Sequence, residues 1–84
     1  MTPKRKEPDQ STYAGRFAAR LRALREKKGL TVEEMVDLMQ HHGFRLSVMG
    51  YYTWERATRQ INLNAIPAIA KALGVSIRVL FPAD

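Results

Sequence analysis

The sequence contains no cysteine. Disulfides, thiolate metal sites and cysteine nucleophiles are thereby excluded together, and a reducing, cytoplasmic setting fits that composition. Histidine is nearly as scarce. His41 and His42 are the two present, and as neighbours on a helix their side chains diverge by about 100°. With no cysteine and no further histidine to complete a ligand set, no metal site is expected. The pair suits a helix C-terminus, where the dipole tolerates positive charge. No apolar run approaches the roughly 18–20 residues of a membrane span. The N-terminus, MTPKRKEPDQS, has no apolar stretch behind its basic residues, so it does not read as a secretory signal. There is no glycine-rich phosphate loop and no Ser–His–Asp set in a recognisable context. Glu33, Glu34 and Asp37 fall in the first turns of a helix, where acids are favoured for ordinary dipole reasons. Neither an enzyme nor a cofactor is expected.

Acids are also few, 8 against 14 lysines and arginines, for a net charge of +6 and an isoelectric point near 10.2. The distribution is uneven. Residues 16–28 hold Arg16, Arg20, Arg22, Arg25, Lys27 and Lys28 against the single acid Glu26, and Arg45, Arg56 and Arg59 follow later. Such a balance favours polyanionic partners, nucleic acid first and an anionic membrane second; charge alone leaves a merely well-solvated small protein as an equal alternative. The 84 residues suffice for one domain. They leave no room for a separate ligand-sensing domain, so no small-molecule ligand is expected.

Periodicity and punctuation give the elements. Residues 1–12, with Pro3 and Pro8 among polar side chains, read as a disordered basic arm, and residues 13–84 as the domain. Phe17, Leu21 and Leu24 recur at helical spacing over 13–28, stopped by Gly29. TVEE is a capping box, with Thr31 the cap and Glu34 reaching back. The second helix then carries Met35, Leu38, Met39 and His42 on one stripe and stops at Gly43. GFRL is a short turn and Ser47 caps a third helix, in which Tyr51 and Trp54 share a face. A fourth helix turns Ile66, Ile69, Ala70 and Leu73 inward; its cap is Asn62 or Asn64, the latter putting Pro67 in the first turn. Gly74 closes it, Ser76 caps a short fifth helix, and Pro82 ends that one. The fold class is all-α, with five helices.

Three segments, RLRALREKKGLTVEEM, S...YYTWERATR and LNAIPAIAKALGVSIRVLF, resemble in order and spacing the Cro/repressor-type helix-turn-helix family, also called lambda-repressor-like or XRE. The resemblance covers nearly the whole span from Phe17 to Phe81. It implies a compact lambda-repressor-like domain that binds double-stranded DNA with its third helix and regulates transcription in the cytoplasm, at the nucleoid. Ser47, Val48, Met49 and Thr53 match the family's base-facing positions, Tyr51 and Trp54 its buried face, and Thr58 and Arg59 its backbone-gripping loop. Arg25 and Glu55 match an Arg–Glu pair joining helices one and three. Three departures stand out. Val32 replaces a glutamine that touches phosphate, Ala57 replaces a glycine after the third helix, and the stretch from Thr31 to Ser47 is about five residues longer than usual. One extra turn of the second helix, ending at His42, absorbs that length.

The apolar pair Val48–Met49 is unexpected in a reading helix. The thymine C5-methyl is itself an apolar feature of the major groove, so this pair can serve there, while Tyr52 and Thr53 remain as hydrogen-bonding groups. The competing reading packs Val48 and Met49 against helix two or a protein partner. Affinity would come from phosphate contacts by Thr31, Arg45, Arg56, Thr58, Arg59 and the helix-one cations. A second function class is a protein-interaction module using the surface of Val48, Met49 and Tyr52. Steep loss of affinity with salt separates a phosphate-gripping binder from such a docking surface. Specificity usually needs two reading helices, so a homodimer is expected, formed on DNA through Ile77, Leu80 or Phe81; the alternative is that these three close the core.

Overall fold

The structure is a computed structural model and describes residues 8–83. Five α-helices follow in order: α1 Tyr13–Lys27, α2 Val32–His41, α3 Val48–Glu55, α4 Ile66–Leu73 and α5 Ile77–Leu80. A single 3-10 turn, Leu63–Ala65, leads into α4, and there is no strand among the described residues. Each start has a local cause. Thr12 caps α1 by accepting from the Gly15 amide, and Thr31 and Glu34 form a reciprocal capping box on α2. Ser47 caps α3 by accepting from the Gly50 amide at 3.0 Å. Asn62 caps the 3-10 turn rather than α4, through its side chain and the Asn64 amide. Pro67 therefore sits in the first turn of α4, where its missing N–H leaves no bond unmade.

The core is assembled from one stripe of each helix. Phe17 and Leu21 of α1, Val32, Met35 and Met39 of α2, Tyr51 of α3, Ile66, Ile69 and Leu73 of α4, and Leu80 of α5 are all buried. Small residues on α4 (Ala68, Ala70 and Ala72) let its backbone lie close to its neighbours. α2 packs on α3 and α4, while α1 packs on α3 and α5. This arrangement holds α2 and α3 as a pair over the rest of the bundle. Two long-range bonds fasten the far end: the Tyr13 hydroxyl donates to the Pro82 carbonyl at 3.2 Å, and Arg20 Nε donates to the Val79 carbonyl.

The fold departs from the sequence-based expectations in three places. His42 does not join the inward stripe; it is the exposed C-cap of α2, because the helix ends at His41 and the chain turns at Gly43, with φ of 93°. Leu80 is 1% exposed and unavailable to any partner, whereas Ile77 and Phe81 are 46% and 38% exposed. Of the expected arm, residues 1–7 lie outside the described residues. The remainder is tied to the domain: Pro8 is buried, the Thr12 amide donates to the Asp9 carbonyl, and that carbonyl lies over Gly15, where an added Cβ would fall 1.6 Å from it.

Candidate nucleic-acid interface

Between the caps of α2 and α3 stand the four residues Gly43, Phe44, Arg45 and Leu46. Phe44 and Leu46 are half-buried and packed on the core, so the turn is pinned while Arg45 between them points outward, exposed. The Phe44 ring lies 5.9 Å from that of Trp54, which in turn sits 6.2 Å from Tyr51. Tyr51 is fully buried, and Trp54 half-buried. The extra length between the two helices is thus taken up as a ten-residue α2 and a turn with aromatic anchorage.

The inner face of α3 is locked electrostatically. Glu55 accepts two hydrogen bonds from Arg25 of α1, Nε to Oε2 at 2.7 Å and Nη2 to Oε1 at 3.0 Å, while Arg25 Nη1 donates to the Leu30 carbonyl at 2.7 Å. The side chains are only 8% and 4% exposed. The bidentate contact raises the Arg25 pKa above its ordinary value, against the opposing effect of burial. The Tyr51 hydroxyl is buried against this pair, facing Glu55 and Arg25, but makes no hydrogen bond of good geometry among the described residues. Burial pushes its phenol far above the usual range, and the Glu55 charge adds to that.

The outer face differs. Met49 is 68% exposed. Val48, its neighbour, is half-buried and packed on the core, so the apolar pair is split: one side chain serves the fold, the other stands in solvent. Tyr52 and Thr53 are half-buried; the Thr53 hydroxyl donates to the Gly50 carbonyl within the helix, and Tyr52 packs partly on the core. Ser47 is exposed, its hydroxyl engaged in the cap.

Cations flank this face from both ends of α3. Arg45 precedes it, and Arg56 and Arg59 follow, with the neutral hydroxyl of Thr58 between them. Arg56 Nε donates to the Tyr52 carbonyl at 3.3 Å, and its guanidinium lies 5.4 Å from the Tyr52 ring centre, which orients it along the helix end. The Thr58 hydroxyl donates to the Thr53 carbonyl at 3.3 Å. Arg45 and Arg59 are exposed and have no ion-pair partner among the described residues. Thr31, at the start of α2, is exposed but has both its amide and its hydroxyl engaged in the capping box. Val32 beside it is buried, which explains why an apolar residue occupies that place: in this chain it belongs to the core.

Two further features shape this region, the first marked in the sequence by the alanine that stands where the family has glycine, the second not marked at all. Ala57 adopts φ of 56°, the left-handed conformation that favours glycine, directly after α3. Beside it opens a groove of about 490 Å³ walled by Tyr13, Phe17, Trp54, Ile61, Leu63 and Phe81. Its residues come from both ends of the chain, so nothing short of the tertiary fold brings them together. No group of histidine, cysteine or acidic residues among the described residues is placed to hold a metal ion, and no helix there is long and apolar enough to cross a membrane.

Comparison with known proteins agrees with this geometry. Residues 16–81 match the family described as a helix-turn-helix domain. Among solved structures the chain is similar to the restriction-modification controller protein C.AhdI from Aeromonas hydrophila, at 35% sequence identity and a TM-score of 0.68, over 77% of this chain and 91% of that one. No curated protein matches it. A capped, outward-facing α3 held on α2, and a family match spanning nearly all the described residues, lead to one conclusion: the chain belongs to the Cro/repressor-like helix-turn-helix family of DNA-binding transcriptional regulators.

Proposed function

We propose that the protein binds double-stranded DNA sequence-specifically, laying α3 in the major groove with Met49 foremost and Ser47, Tyr52 and Thr53 beside it towards the bases, while Val48, packed on the core, seats the helix. Thr31, Arg45, Arg56, Thr58 and Arg59 hold the phosphates on either side. The observation that carries this reading is the contrast between the two faces of α3. Its inner face is bound to the core through Tyr51 and the Arg25–Glu55 pair, while Met49 on its outer face is open and the exposed cations Arg45 and Arg59 stand at its two ends. A helix fixed in this way presents a rigid edge to the groove, and phosphate contacts on both sides set its register. The description of the similar Aeromonas hydrophila protein as a controller supports a regulatory role.

One α3 spans only a few base pairs, so the protein acts as two copies on half-sites about one helical turn apart. The exposed edges of Ile77 and Phe81 supply apolar surface for that contact. Selection of bound duplexes from a random pool tests the proposal. The expected outcome is an inverted repeat, bound by two copies and released steeply as salt rises. A weak salt dependence, with no sequence enriched, would refute DNA reading and favour a protein partner on the Met49 surface.

A further inference from the structure

We propose that Met49 is a probe for the C5-methyl group of a pyrimidine in the major groove, so that the protein distinguishes thymine and 5-methylcytosine from unmethylated cytosine at one position of its site. This assignment rests on the DNA-reading function above. Most side chains near the start of α3 are already engaged. The Ser47 hydroxyl accepts from the Gly50 amide, and the Thr53 hydroxyl donates to the Gly50 carbonyl. Val48 is packed on the core, and the Tyr52 ring carries the Arg56 guanidinium. Among the first residues of the helix Met49 is the large apolar side chain left mostly in solvent, at 68% exposure.

Gly50 supports the same assignment. It lies in ordinary helical backbone rather than among the glycines of positive φ, and a Cβ there would meet nothing but the Ser47 hydroxyl, at 3.2 Å. The absence of a side chain spares that capping hydroxyl, which a Cβ would crowd, and no other element approaches. Its effect is to leave the surface beside Met49 bare, so that a base edge can come against the methionine.

The chemistry of the side chain sets what is read. A thioether has no donor and is only a weak acceptor, so it is nearly blind to the difference between the O4 acceptor of thymine and the N4 donor of cytosine. It is flexible, polarisable and apolar, and gains chiefly by covering another apolar group. In the major groove that group is the C5-methyl, which thymine and 5-methylcytosine present at the same place on the ring. Burying one methyl corresponds to about a four-fold change in Kd.

The test uses the full chain and the duplex selected from a random pool. Each thymine is replaced in turn by uracil, which pairs identically but lacks the methyl. A cytosine–guanine pair is then placed at the sensitive position, with and without C5-methylation. The expected result is one thymine per half-site whose replacement weakens binding by about four-fold. Methylating the cytosine should strengthen binding by a similar factor, and Met49→Ala should reduce both differences to near unity. Because Met49 is exposed, the variant should melt with the parent. The inference is overturned if every uracil duplex binds like the thymine duplex, or if Met49→Ala keeps the same methyl dependence. Either outcome leaves DNA reading intact. Failure to enrich any duplex would overturn the DNA reading itself, and this inference with it.

Discussion

Glu55→Ala removes the carboxylate that Arg25 holds at 2.7 and 3.0 Å, in a place where the two side chains are 4% and 8% exposed. The guanidinium then keeps one hydrogen-bond acceptor, the Leu30 carbonyl, and of the carboxylates only the more weakly acting Glu26 still favours its charge. Breaking a buried pair from one side costs about 3–5 kcal/mol, most of it the desolvated charge left behind. The retained Leu30 bond favours the lower end. In a domain of this size about 3 kcal/mol is a large share of the whole stability, and corresponds to a fall in the melting midpoint of roughly 12–24 °C. Thermal and urea unfolding, followed by helical circular dichroism, measure it. The mechanism makes a second, sharper demand. Arg25→Met combined with Glu55→Met removes both charges and fills similar volume, so the double variant should melt above Glu55→Ala, because paired burial of charge contributes little net stability. High salt should leave the effect of Glu55→Ala unchanged, since a buried pair is weakly screened. A Glu55→Ala variant melting within about 3 °C of the parent, or a double variant less stable than the single, would refute the reasoning.

Other outcomes follow from the same geometry. Arg59→Ala and Arg56→Ala should weaken binding to all duplexes alike, and each should reduce the slope of log affinity against log salt by about one for every phosphate it no longer neutralises; a changed sequence preference at unaltered slope would instead assign the residue to a base. Ala57→Gly should stabilise the protein by about 0.5–1 kcal/mol, because φ of 56° costs an alanine about 1–2 kcal/mol and the extra chain entropy of glycine returns part of the gain; a lower melting midpoint would show that the corner carries no such strain. Tyr51→Phe removes a buried hydroxyl that has no hydrogen-bond partner among the described residues, so it should be neutral or stabilising near pH 7. The Tyr51 phenol is raised in the folded state by burial, so the unfolded chain loses its proton first, from about pH 10. Its contribution to stability is fully present below that pH and declines as pH rises towards the folded value, by up to about 1.4 kcal/mol per pH unit. Alkaline unfolding curves of parent and Tyr51→Phe should separate there, and parallel curves would contradict the shift.

The helices of this protein were legible in the sequence wherever their signals are local. Thr31 with Glu34, Ser47, Gly43 and Gly74 act within one turn of backbone, so composition and spacing sufficed to place α2, the turn after it, α3 and the end of α4. Helical spacing likewise identified Phe17 and Leu21, Met35 and Met39, and Ile66, Ile69 and Leu73 as core. Other matters depend on contacts between segments distant in the chain. Periodicity gives Val48 and Met49 the same apolar character, and only the seating of α3 on the bundle buries part of one and exposes the other. Leu80 and Phe81 look alike as candidates for a partner surface, yet Leu80 enters the core while the Phe81 ring lies 5.1 Å from Phe17 at the edge. Pro8 and Asp9 read as arm because they are polar context around a proline; Gly15, one turn into α1, is what lets their backbone come down onto the helix. Ala57 stands where the family has glycine, and its left-handed conformation, φ of 56°, lies in the corner between α3 and the turn capped by Asn62. Local capping is decided by atoms a few bonds apart and is written residue by residue; which side of a helix faces inward at its margins is decided by the volume its neighbours leave, and that volume exists only once the chain has folded.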